Sequence, residues 1–306
     1  MFEDAIESVG NYTRALHLIR RRFGDNAILP DCGTLFFVND DGCAIMSGRM
    51  ASHIPAAEQM EKKYRKFTEE RESLTRDASM RFEQKRLERK YNYGADVISQ
   101  LRFSFVDCIA GGTGFSLKIH PKYDLALVKF NEPERFFYKG HAVFASKPPR
   151  QGQELMRVGF AFPEFRNFDY DRQKDTIEFH KGAGGLSRFP VEGIMTRFVQ
   201  DSERCFGIEV STPAPIGMAG APLFDEKGLV YGMYFGTRCL YSGVGDVKDG
   251  TVQVETVERN EQSHEIIYHV TDSKVSDSSF TRVGQCVHMD LIKEFLNEND
   301  VRFYEA

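Results

Sequence analysis

Short apolar runs separated by turn residues recur along most of the chain, and this rhythm restricts the fold more than any other feature. Gly33-Thr-Leu-Phe-Phe-Val38 and Cys43-Ala-Ile-Met46 flank Asn39-Asp-Asp-Gly42, which reads as strand, tight turn, strand. Residues 97–130, 156–160, 192–199, 206–210 and 229–235 continue in the same manner. Short strands at regular spacing favour an all-β barrel or sandwich over alternating helices and strands. A chain of 306 residues can form two such units around a sizeable core, and its 26 phenylalanines, with no tryptophan, supply much of the core volume. The Lys147-Pro-Pro-Arg150 stretch marks the connection between them.

Three segments break the rhythm. Phe2, Ile6, Val9, Tyr12, Leu16 and Ile19 recur every three or four residues, which predicts an amphipathic helix over 2–23. Gly24-Asp25-Asn26 and Pro30 end it, and Arg20–Arg22 complement its C-terminus. Between 55 and 91 about half of the residues are charged, of both signs. Met60, Tyr64, Phe67, Leu74 and Ala78 fall near heptad spacing there, and Phe82, Leu87 and Tyr91 continue the apolar positions. This is one long helix or a helical hairpin, either packed on the body or serving as a partner-binding arm. Residues 247–280 form a polar excursion, and the text from Asp290 to Leu296 reads as a closing helix capped by Asp290. The expected units are 1–26 (N-terminal helix), 27–147 (first barrel with its insertion), 148–285 (second barrel) and 286–306 (C-terminal helix).

Charge and composition exclude several classes. A net charge of −5 without a dominant basic run argues against nucleic-acid binding. No stretch approaches the ~18 apolar residues of a membrane span. The opening MFEDAIESVG carries acids where a secretory signal carries basic residues, so the expected address is cytoplasmic. Cys32, Cys43, Cys108, Cys205, Cys239 and Cys286 include no CxxC spacing and read as reduced thiols. His120, His141, His180, His264, His269 and His288 are dispersed, so neither a metal nor another cofactor is expected. Gly182-Ala-Gly-Gly185 lacks the Lys-Ser/Thr of a phosphate-binding loop and reads as an ordinary flexible loop.

Three stretches carry chemistry. They are Gly42-Cys-Ala-Ile-Met-Ser-Gly-Arg49-Met-Ala51, Tyr123-Asp-Leu-Ala-Leu-Val-Lys129, and Gly217-Met-Ala-Gly-Ala-Pro222 with the hairpin that follows to Gly232. In this order they resemble the histidine, aspartate and serine segments of trypsin-like (chymotrypsin-fold) serine proteases, in the manner of bacterial intracellular members. Arg157-Val-Gly-Phe-Ala-Phe-Pro163 is similar to the first strand of that family's second barrel. The resemblance covers roughly residues 27–51, 97–163 and 190–245 and implies two antiparallel Greek-key β-barrels with a cleft between them. It assigns the aspartate position to Asp124, the serine position to Ala219, and the backbone N–H groups of Gly217 and Ala219 to an oxyanion hole. Aligned without gaps, Arg49 takes the histidine position and should pair with Asp124. Four extra residues would instead bring His53 there, in Met50-Ala-Ser-His53-Ile54.

An alanine methyl cannot attack a carbonyl, and arginine does not act as a base near neutral pH. The resemblance therefore implies a pseudoprotease that binds a peptide or partner protein. Two alternatives stand beside it: an active endopeptidase captured with its serine changed to alanine, and a structural subunit acting through its helical insertion. By the same resemblance Pro213 and Tyr234–Gly236 flank the pocket for the bound side chain and suggest an apolar one. The sequence leaves the oligomeric state open.

Overall fold

A computed structural model describes residues 2–74, 80–110, 114–132, 135–180, 187–241, 248–260, 265–277 and 280–306. The chain opens with α1 (Glu3–Gly10), then β1 (Thr13–Arg22), β2 (Ile28–Phe37) and β3 (Cys43–Met46). Two helices follow, α2 (Gly48–Glu72) and α3 (Met80–Lys90). The first unit continues through β4 (Ile98–Val106), β5 (Ile109–Ala110), β6 (Phe115–Ile119), β7 (Ala126–Phe130) and β8 (Arg135–Phe136). Its main sheet has six strands in the order β4-β1-β2-β3-β7-β6, and no pairing between β4 and β6 closes it.

The second unit begins with β9 (Val143–Phe144) and β10 (Glu154–Gly159), followed by a hairpin of β11 (Phe168–Asp171) and β12 (Thr176–Phe179). Next come β13 (Phe189–Gln200), β14 (Cys205–Val210), β15 (Pro222–Phe224) and β16 (Leu229–Tyr241). After them β17 (Lys248–Asn260) pairs with β18 (Glu265–Asp277) as a two-stranded ribbon, which is the form taken by the polar excursion. The chain ends with β19 (Phe280–His288), α4 (Met289–Glu298) and β20 (Tyr304–Glu305). The order β15-β10-β13-β14-β19-β16 returns to β15 through a β15–β16 pairing, so this ring is closed. The fold is thus all-β, a closed barrel beside an open one, with helices added. No helix among the described residues is long and apolar enough to cross a membrane.

The structure corrects the reading of the first 26 residues. The helix ends at Gly10, and the residues from Thr13 to Arg22 form a strand. That strand is buried on both faces, from Leu16 and Leu18 to His17 and Ile19, so its apolar text shows no alternation. Arg20–Arg22 consequently lie on β1 and not at a helix end. The insertion is a pair of helices, and α2 starts at Gly48, seven residues before the expected 55. Ser47 caps α2 at its N-terminus. At the other end of the chain His288, not Asp290, caps α4: its ring nitrogen accepts the Asp290 N–H at 3.1 Å. The Gly182–Gly185 loop lies outside the described residues.

The helical insertion is docked on the body. Tyr64, Phe67, Leu87 and Tyr93 form a buried cluster under it. Asp175, at the tip of the β11–β12 hairpin, accepts from Arg21 (2.8 Å), Tyr64 (2.6 Å), Arg71 (3.1 Å) and the Tyr170 hydroxyl. One carboxylate therefore ties β1, α2 and a hairpin of the second unit together. The length of α2 starting from its cap at Ser47 is what carries residues 49 and 53.

Candidate functional site

The Ser47–Arg49 segment leaves β3 and enters α2 directly against Asp124. Ser47 Oγ donates to Asp124 Oδ1 at 2.8 Å, and the backbone N–H of Arg49 donates to the same oxygen at 2.6 Å. Gly48 permits this approach, because a Cβ there would stand 3.0 Å from the Leu125 nitrogen. A carboxylate at a helix N-terminus is favourable for the orphan amides and for the helix dipole. Asp124 thus anchors the first turn of α2.

The expected ion pair between Arg49 and Asp124 is not formed. The Arg49 guanidinium turns away and Nη2 donates to the Phe235 carbonyl at 3.0 Å, on β16 of the second unit. The long arginine side chain reaches instead a main-chain acceptor of the second unit. Asp124 takes its hydrogen bonds from Ser47 and Arg49 and not from His53, which is buried one turn further along α2.

The loop carrying Ala219 sits where the two units meet. Gly217 and Gly220 have φ of +99° and +96°, a region that favours glycine. A Cβ on Gly217 would stand 2.1 Å from the Phe160 carbonyl oxygen, and one on Gly220 would stand 1.8 Å from that of Thr34. Neither position accepts a side chain without moving backbone. Thr34 on β2 stitches the loop down: its N–H donates to the Ala219 carbonyl (2.8 Å) and its hydroxyl to the Gly217 carbonyl (3.0 Å). From the other side the Gly220 N–H donates to the Tyr234 carbonyl at 2.8 Å. With those bonds made, the N–H groups of Gly217 and Ala219 have no acceptor among the described residues. These two unfilled donors stand two residues apart on a loop shaped by glycines at positive φ.

The rim beside this loop is apolar and exposed. Ile216 is 72% exposed, and Phe162 and Phe189 pack edge to face at 5.7 Å next to it. The Phe162 N–H donates to the Ile216 carbonyl at 2.9 Å, which fixes the rim to the loop. Of the nucleophiles nearby, Cys32 is the thiol closest to Gly217 in the fold's packing, but it is buried and donates to the Phe160 carbonyl at 3.1 Å. Burial pushes its pKa up to about 12, and the neighbouring Asp31 adds to the effect, so it is not a thiolate near neutral pH.

The structure therefore sets Arg49 on Asp124 and brings the Gly217–Ala219 loop against the same segment, a Cβ on Gly220 standing 3.4 Å from the Ser47 nitrogen, while His53 is buried. Sequence reasoning missed Ser47 and Thr34. A serine before a helix and a threonine in a strand are both ordinary there, so neither carries a signal.

No protein-family model matches the chain, and none of the curated proteins matches it. Solved structures do. A Ser-to-Ala variant of the HtrA-type protease AlgW with a tripeptide shares 11% identity at a TM-score of 0.45, covering 97% of this chain and 62% of that one. The Rv3671c protease from M. tuberculosis, in its active form, shares 11% identity at a TM-score of 0.39, over 87% of this chain and 78% of that one. The chain thus spans less than two thirds of the first of these proteins.

Proposed function

We propose that the chain is a catalytically inactive relative of the trypsin-like serine proteases whose cleft binds an extended peptide or a segment of a partner protein. The observation that carries this reading is the pair of unfilled amides at Gly217 and Ala219 on a loop that only glycines can shape. The nucleophile position holds a methyl group, Arg49 cannot serve as a base, and Asp124 is engaged in anchoring α2. Binding geometry is retained while the means of covalent attack are absent. The exposed Ile216, Phe162 and Phe189 rim supplies apolar contact beside the amides. The test is amide NMR on the native protein titrated with a random peptide library. Saturable downfield shifts of the Gly217 and Ala219 amide protons are expected; saturable shifts elsewhere that leave these two unmoved would refute the site.

A structural role for the helical insertion has its own support, since Asp175 ties α2 to β1 and to the β11–β12 hairpin. Under this reading the insertion is a brace that sets the position of Arg49, and it complements the binding cleft.

A further inference from the structure

Arg157 on β10 has no exposed surface and lies inside the second barrel. Its Nη2 donates to the carbonyl oxygens of Glu192 (3.2 Å) and Thr212 (2.9 Å). Its Nε and Nη1 have no hydrogen-bond acceptor among the described residues. The buried acids of this unit are committed elsewhere. Glu209 takes Arg197 through both oxygens, each at 2.9 Å, and Asp225 accepts the Lys227 and Leu229 N–H groups and the Tyr231 hydroxyl. Arg157 is therefore a buried cation facing carbonyl oxygens and a ring, with no carboxylate partner among the described residues. Burial disfavours its charge, yet a guanidinium keeps its proton near neutral pH. Two carbonyl contacts offset only part of what removing that charge from water costs.

Its surroundings connect it to the cleft. The guanidinium carbon lies 5.2 Å from the centre of the Tyr234 ring. Tyr234 holds Gly220 through its carbonyl, and the next residue, Phe235, holds Arg49. Thr212 begins the segment that runs on to Ile216 and Gly217. The Tyr234 hydroxyl spans the gap between that segment and β16, 3.3 Å from the Ala214 nitrogen and 2.8 Å from Thr237 Oγ1. The hydroxyl also donates to the Ala214 carbonyl at 3.3 Å; Ala214 is half-buried and Thr237 exposed, so the hydroxyl end of this buried ring points toward the surface. Gly284 on β19 leaves the room that Arg157 occupies, since a Cβ there would stand 2.7 Å from Nη1.

We infer that the cleft selects ligands bearing a carboxylate, which Arg157 receives when the Tyr234 phenol swings out of its hydrogen bonds. This rests on the peptide-binding reading above and adds the ligand's chemistry to it. Nε and Nη1 lie on opposite edges of the guanidinium and Nη2 is already taken, so a carboxylate engages one of the two free donors in a single charge-assisted hydrogen bond. The same group is offered by a glutamate or aspartate side chain and by a peptide C-terminus. An apolar pocket, suggested by Pro213 and Tyr234–Gly236, gives way to one with a cation at its base.

The experiment is fluorescence polarisation with labelled heptapeptides in three sets. One is amidated with glutamate scanned through each position, one carries glutamine in its place, and one is neutral with a free C-terminus. A charge-assisted contact in a buried site predicts that one carboxylate-bearing set binds roughly tenfold or more tighter than the glutamine set. Which set does so identifies the source of the carboxylate. Arg157→Met should erase the preference while leaving glutamine peptides within about twofold. Tyr234→Phe, which frees the ring from Ala214 and Thr237 and leaves Arg157 in place, should tighten only the preferred set. Equal affinity across the three sets, or a preference that survives Arg157→Met, overturns the inference and leaves the binding reading standing. Absence of binding by every peptide overturns both.

Discussion

Restoring catalysis tests the assignment of the cleft most directly. The perturbations are Ala219→Ser alone and Ala219→Ser with Arg49→His. The first supplies a hydroxyl beside the unfilled Gly217 amide but no base, and a serine without a base is a weak nucleophile. The second removes the strap to the Phe235 carbonyl and puts an imidazole on the first turn of α2. Asp124 can orient it, because Ser47 and the residue 49 N–H both use Oδ1 and leave Oδ2 for an imidazole N–H. General-base assistance contributes typically ~10²–10⁴-fold, or about 2.7–5.4 kcal/mol of transition-state stabilisation. The assay is hydrolysis of small p-nitrophenyl esters, which do not require the Tyr234–Arg157 region to open, with fluorophosphonate labelling in parallel. The double variant should exceed the single one by that factor. Equal rates in the two would refute the placement of Arg49 at the base position. Activity in Ala219→Ser that disappears on adding His53→Gln would transfer the role to His53.

The native chain should show neither hydrolysis above background nor fluorophosphonate labelling; stoichiometric labelling at the cleft would refute the reading of Ala219. Gly220→Ala places a Cβ against the Thr34 carbonyl at positive φ, so calorimetry should show a loss of about 2–5 kcal/mol, against no more than about 1 kcal/mol for Ala at an unhindered site. His17 is buried against the Phe165 ring at 3.7 Å, and burial lowers its pKa to about 4. A depressed folded-state pKa gives stability that is present above the unfolded value near 6.5 and is lost as pH falls toward 4. Urea unfolding should therefore lose about 3 kcal/mol between pH 7 and pH 4, and His17→Phe should flatten that slope. Asp175→Asn leaves the buried Arg21 without its carboxylate and should cost about 2–4 kcal/mol in the same assay, with a loss below 0.5 kcal/mol refuting the brace.

What was legible in the sequence follows from how local each constraint is. The 217–222 loop was legible because a backbone at φ near +100° demands glycine, and glycine is visible in text. Asp124 was legible because it stands just before β7 in a recognisable run, but its donor Ser47 lies 77 residues away and looks like any helix cap. β1 was misread because Tyr12, Leu16 and Ile19 fit a helical period while the residues between them are also buried, which only tertiary packing decides. The Arg21–Tyr64–Asp175 network joins residues separated by 43 and 154 positions and has no local signature. Arg157 opens the run that resembles the first strand of the second barrel, and nothing local in that text marks its side chain as fully buried.

The Arg49 contact changes how the cleft is to be understood. In a catalytic cleft the residue at this position must shuttle a proton and so must be free to change partners. Here its guanidinium is held by a main-chain carbonyl of the opposite unit at 3.0 Å, and its own N–H is held by Asp124 at 2.6 Å. The side chain at the position of a proton relay has become a tie between α2 and β16. A tie of this kind limits relative movement of the two units at the point where the Gly217 and Ala219 amides are displayed. It also sits on the residue adjacent to Tyr234, whose ring lies 5.2 Å from the Arg157 guanidinium. A ligand that displaces the phenol must therefore act on a strand already clamped from the other side. The side chain is left to move while the backbone that shapes the amide pair stays in place.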